Sequence, residues 1–124
     1  MRTPLNRVRG LGPAHSGTGH FWLQRLTAMA NVPLTIYFLF LFATLSGRSH
    51  AAVTATLGEP FVAIMLLAAI FSIVVHMRVG MQVIIEDYVH DEAMKITLLV
   101  LNTFFAVGVG LSAAFAVLRI SLGL

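Results

Sequence analysis

One histidine lies deep inside an apolar run. His76 lies near the end of the 18 uncharged residues between Glu59 and Arg78, and apolar character continues beyond it to Ile85. About ten residues separate it from that end of the run, which places it ~15 Å deep at ~1.5 Å per residue. His15, His20, His50 and His90 lie at or beyond the ends of apolar runs. A neutral imidazole at depth suits an axial haem ligand, a proton relay or an interhelical hydrogen bond. A packed polar residue bonded to a neighbouring carbonyl is the plainer alternative. If two histidines were to hold a haem here, the second would have to come from another chain. Gly80 lies one turn further along the same face, where a missing side chain lets a flat macrocycle or a second helix approach.

Other polar residues flank this histidine. Arg78, Gln82 and Glu86 are spaced four apart and are expected to form an ion-pair ladder along one stripe. Arg78 stands about 200° around the helix from His76, so it points elsewhere. Asp87 follows His76 by 11 residues. That is close to three whole turns, so Asp87 falls on the His76 face if the helix runs that far. Tyr88 comes next. A tyrosine at a membrane edge is usually an anchor, but a phenol beside a carboxylate also suits a quinone carbonyl. Arg25, in His20-Phe21-Trp22-Leu23-Gln24-Arg25, reads either as a positive anchor or as a counter-charge to an anionic cofactor group.

The elements that position these residues follow from the charge-free runs. There are 22 uncharged residues between Arg25 and Arg48 and 23 between Lys95 and Arg119, besides the 18 before Arg78. About 20 apolar residues cross a ~30 Å hydrocarbon core. The expected fold is all-α: an integral membrane domain, residues 21–124, with helices at about 22–45, 61–85 and 93–120. Pro33 is expected to kink the first, and Pro60 suits the first turn of the second. Charged residues make up 10% of the 124-residue chain and apolar ones 58%, too few and too many for a soluble globular surface. A soluble enzyme, a disordered tail and a nucleic-acid module are therefore poor readings. There is no cysteine, hence no disulfide and no thiolate site.

Four of the eight basic residues, Arg2, Arg7, Arg9 and Arg25, lie in the first 25 residues. The positive-inside rule then puts the N-terminus inside, the Ser46–Glu59 loop outside, the Glu86–Lys95 loop inside and the C-terminus outside. Residues 1–20 read as a flexible inner arm without the apolar core of a signal peptide.

Taken together, these residues resemble the smaller of the two membrane-anchor subunits of succinate dehydrogenase (respiratory complex II). Arg25-Leu26-Thr27-Ala28 is similar to that family's entry into its first span. His76-Met-Arg-Val-Gly80 is similar to its haem motif, and Asp87-Tyr88-Val89 to its quinone motif. The likeness runs from about His20 to Ile120, and its wording is closest to the alphaproteobacterial and mitochondrial branch. It implies that His76 is one axial ligand of a b-type haem, with iron as the bound metal and the second histidine on the larger, companion anchor. It implies that Tyr88 hydrogen-bonds ubiquinone with support from Asp87, and that Arg25 lies near a haem propionate or the quinone pocket. The implied partners are the companion anchor subunit, the iron–sulfur subunit, the flavoprotein subunit and the lipid bilayer. The implied location is a bacterial cytoplasmic membrane, ahead of the mitochondrial inner membrane. Arg78 and Glu86 depart from the pattern. A quinol:fumarate reductase anchor and a non-redox assembly protein remain as alternatives. A diheme cytochrome core is disfavoured, since it needs more deep histidines than one.

Overall fold

The computed structural model describes residues 15–124, with side chains from residue 19 onward except His20. All regular structure among them is helical: α1 (His15–Leu45), α2 (His50–Leu57), α3 (Pro60–Tyr88) and α4 (Glu92–Ser121). Helices α1, α3 and α4 are the three long apolar spans, and the apolar part of α1 is Phe21–Leu45. Arg2, Arg7, Arg9 and most of the expected arm lie outside the described residues. Helix α1 reaches back to His15, well before Trp22. A glycine inside a helix costs about 1 kcal/mol but, unlike proline, removes no hydrogen bond, so Gly17 and Gly19 do not stop it. The helix also continues through Pro33.

The loop after α1 is more ordered than its composition suggested. Gly47 takes φ +79°, the left-handed conformation that lets the chain leave a helix. The Ser49 hydroxyl accepts from the Ala52 N–H at 3.2 Å and caps α2. Gly58 then passes close to the far end of α4. A Cβ there would stand 3.2 Å from the Ile120 carbonyl oxygen, so only glycine fits without a shift. Three residues, Val89–Asp91, link α3 to α4.

Helix α3 is the middle element and packs against both α1 and α4. Its Val79 is wholly buried, as is Ala106 of α4 to within 1%. Small residues at such seams let backbones approach, and dispersion replaces the hydrophobic force that lipid does not supply. Gly110 illustrates this, with the Val74 side chain 3.6 Å from where its Cβ would be. The outward faces are different. Phe40, Phe71, Phe104 and Phe115 each expose about two-thirds or more of their surface. Those faces have the chemistry of lipid or of other apolar helices.

Candidate functional site

The α1–α3 seam holds the polar residues of interest. Gln24, Thr27 and Asn31 are spaced three and four apart on α1, and Ser72, His76 and Gly80 four apart on α3. Those spacings put each trio on one helical face. The structure sets the two faces against one another. Ser72 donates to Asn31 Oδ1 at 2.7 Å and also approaches the Thr27 carbonyl at 3.2 Å. One turn further along α3, His76 Nδ1 lies 3.0 Å from Thr27 Oγ1. One turn further, Gly80 faces Gln24, whose Nε2 would sit 3.2 Å from a Cβ on Gly80. Thr27 and Ser72 are the two polar residues buried in the described chain, at 7% and 6% exposure.

The proton on the Thr27–His76 contact can be assigned. Thr27 Oγ1 lies 2.7 Å from the Leu23 carbonyl oxygen, a separation two acceptors would not hold without a proton between them. The hydroxyl has one proton, and that bond uses it. Thr27 Oγ1 therefore accepts from His76 Nδ1–H. The neutral ring then keeps its lone pair on Nε2, the form in which histidine ligates a metal. Within the described residues the other imidazoles whose side chains are placed, His50 and His90, lie in α2 and past the end of α3. Among the described residues, the one placed imidazole within a long apolar span is thus that of His76, and its Nε2 is the atom that could serve a metal such as haem iron.

Gln24 completes the seam and is unsatisfied within it. Its Oε1 is buried and has no hydrogen-bond partner among the described residues. Such an atom is rare in folded proteins. None of Gln24, Thr27, Asn31 and Ser72 stood out as a functional residue in the sequence. The signal was nonetheless there, as polar residues at helical spacing inside an uncharged span.

The remaining expected residues are distributed over other faces. Helix α3 does continue through Tyr88, so Asp87 lies in helical register with His76, about 16 Å further along the helix. Tyr88 stands about 100° away from it around the helix. Tyr88 is 77% exposed. It edges a cleft of ≈ 450 Å³ between α3 and α4, with Ile85, Leu98, Asn102 and Phe105. Arg25 is on the side of α1 away from Thr27, about 200° around. Its guanidinium lies 4.9 Å over the Phe21 ring, beside a groove of ≈ 460 Å³ that Trp22 and Met29 also line. Because α1 starts at His15, Arg25 is not at the helix start. It follows Gln24, which faces Gly80, and Tyr88 is about 12 Å beyond Gly80 along α3.

Arg78 corrects the expected ladder. Gln82 Nε2 does donate to Glu86 Oε1 at 3.1 Å, but Arg78 turns to α4. Its Nε donates to Thr103 Oγ1 at 3.4 Å, and its carbonyl accepts from Asn102 Nδ2 at 3.0 Å. The guanidinium edges a cleft of ≈ 510 Å³ that is otherwise almost wholly apolar.

Comparison with known proteins shows which family the chain resembles. Residues 1–110 match the family described as "Succinate dehydrogenase/Fumarate reductase transmembrane subunit". A succinate dehydrogenase hydrophobic membrane anchor subunit from Paracoccus denitrificans is 35% identical over 98% of this chain and 93% of its own. A succinate dehydrogenase membrane anchor subunit from Reclinomonas americana is 38% identical over 74% of this chain and 79% of its own. One from Rickettsia bellii is 29% identical over 86% of each.

Proposed function

The chain belongs to the family of succinate dehydrogenase and fumarate reductase transmembrane subunits, and from that premise we propose that it holds one face of a b-type haem and one wall of a ubiquinone site. It is a membrane anchor within an enzyme complex and carries no catalytic centre of its own. The relatives above are named for succinate dehydrogenase, which favours succinate oxidation with quinone as acceptor over fumarate reduction. The complex would stand in a bacterial cytoplasmic membrane, with the N-terminus and the α3–α4 link on the inner side. There an iron–sulfur subunit, fed by a flavoprotein, would meet the anchor.

The observation that carries the haem reading is the His76 ring, fixed through Nδ1 with Nε2 left as the free base. Haem b, when bound, supplies a one-electron carrier between its ferric and ferrous states. His76 would give one nitrogen ligand to the haem, and a histidine of the companion anchor the other. Arg25 would supply positive charge to a propionate or to the quinone pocket from the outer face of α1. Tyr88 would donate its phenol proton in a hydrogen bond to a quinone carbonyl oxygen, where negative charge grows during reduction. Asp87, one residue before it, would support the site and link it to protons at the inner surface.

The test is a dithionite-reduced minus oxidised spectrum of the detergent-purified native assembly, beside a His76→Ala version. A b-type signal in the native complex that is lost or shifted in an assembled variant is the expected result. A signal unchanged by the substitution removes His76 from the ligand set. A native complex without haem refutes the reading.

A further inference from the structure

We propose that Thr27 is a positioning residue for the haem, holding the His76 ring by its Nδ1–H and setting how strongly Nε2 donates to iron. The inference rests on the haem reading above and extends it to a residue on a different helix. Three features of the structure carry it.

First, the acceptor is defined. The Thr27 hydroxyl spends its only proton on the Leu23 carbonyl at 2.7 Å, so toward His76 at 3.0 Å it is an acceptor. Second, the acceptor is held. Thr27 is 7% exposed, and its own carbonyl is approached by Ser72, one turn from His76 on α3. The contact therefore joins two packed helices rather than a mobile side chain to a ring. Third, the acceptor is neutral. A carboxylate at Nδ1–H would give the imidazole anionic character and favour ferric iron strongly. A hydroxyl pulls less on that proton, and valine in its place would not pull at all. Outer partners of this kind are worth 10- to 100-fold in metal affinity.

The experiment compares Thr27→Val and Thr27→Ser with the native chain in the purified complex. Haem is counted per complex, and its midpoint potential is measured by redox titration. Valine keeps the size and branching of threonine but leaves Nδ1–H without a partner. Ferric iron is then less well stabilised, so the potential should rise, by ~59 mV for each tenfold loss of ferric preference. Serine keeps the hydroxyl and should return the potential to the native value. Loss of haem in Thr27→Val that serine restores would also support the proposal. Haem retained at an unchanged potential in Thr27→Val refutes it, and leaves His76 as a ligand. A disturbance that serine does not repair refutes it as well, because the residue then acts through packing. Failure of the reading beneath it looks different: the native complex has no haem, or His76→Ala keeps the native spectrum.

Discussion

Replacing Gly80 with leucine tests whether the α1–α3 seam is closed as tightly as its geometry implies. A Cβ at this position already stands 3.2 Å from Gln24 Nε2, tighter than ordinary contact, and leucine adds three more carbons beyond it. Overpacking of this kind costs about 1–3 kcal/mol, which is roughly 5- to 150-fold in a folding equilibrium. The strain falls one turn from His76, so the seam should open there and the Thr27–His76 contact should lengthen. Two readouts follow in the detergent-purified complex: a lower thermal unfolding midpoint and a weaker or shifted b-type band. The cause is identified by removing the opposing side chain. Gln24→Ala makes room for the leucine, so the double variant should recover most of the lost stability. Gln24→Ala by itself should be neutral or stabilising, because it deletes a buried oxygen that has no partner among the described residues and whose desolvation costs about 1–3 kcal/mol. A double variant no more stable than Gly80→Leu would refute the reasoning. So would a Gly80→Leu complex as stable as the native one.

Three further outcomes are expected. Tyr88→Phe should leave haem content and assembly unchanged and lower steady-state quinone reductase activity by about 2- to 13-fold, the worth of one neutral hydrogen bond; unchanged saturable kinetics would remove Tyr88 from the quinone site. Asp87→Asn should reduce quinone turnover more than it reduces the yield of assembled complex, and equal losses of both would make Asp87 structural. Ser72→Ala removes an interhelical hydrogen bond of 2.7 Å and should lower stability by about 0.6–1.7 kcal/mol, read as the unfolding equilibrium in mixed detergent; no change would mean that Asn31 finds another donor.

The three spans were legible because charge is so costly in lipid that its absence marks them. Their ends were less so. Polar and glycine-containing turns such as His15–His20 read as a loop by composition, yet α1 includes them, because membrane-edge backbone gains nothing by leaving the helix unless a proline forces it. Helix α2 was missed for a related reason. Its eight residues include Val53, Thr54 and Thr56, whose branched side chains weaken a helix signal, and what holds it is the Ser49 cap and the contact with α4. The site shows the same division. Spacing alone put His76, Gly80 and Asp87 on one face and Arg78 on another, since that follows from helical period. The partners were hidden. Arg78 could have reached along its own helix toward Glu86, and only the position of α4 makes Thr103 its neighbour. Thr27 is likewise an ordinary residue until α1 and α3 are set side by side.

The seam also predicts an asymmetry between its two members. In His76→Ala the Thr27 hydroxyl still donates to Leu23 at 2.7 Å, so no buried donor loses its partner. The cost is confined to the volume of a half-buried ring and to whatever His76 itself binds. In Thr27→Val the imidazole stays and its Nδ1–H faces carbon, a buried donor left unpaired at about 1–3 kcal/mol. The two variants should therefore separate cofactor loss from loss of stability. His76→Ala should give an assembled complex that is poor in haem but resists heat nearly as well as a native complex stripped of haem. Thr27→Val should resist heat less well than that stripped complex. Thermal midpoints of the three preparations, measured side by side, decide the matter. If His76→Ala proves the least stable, the ring is holding the helices together, and its contact with Thr27 is structural first.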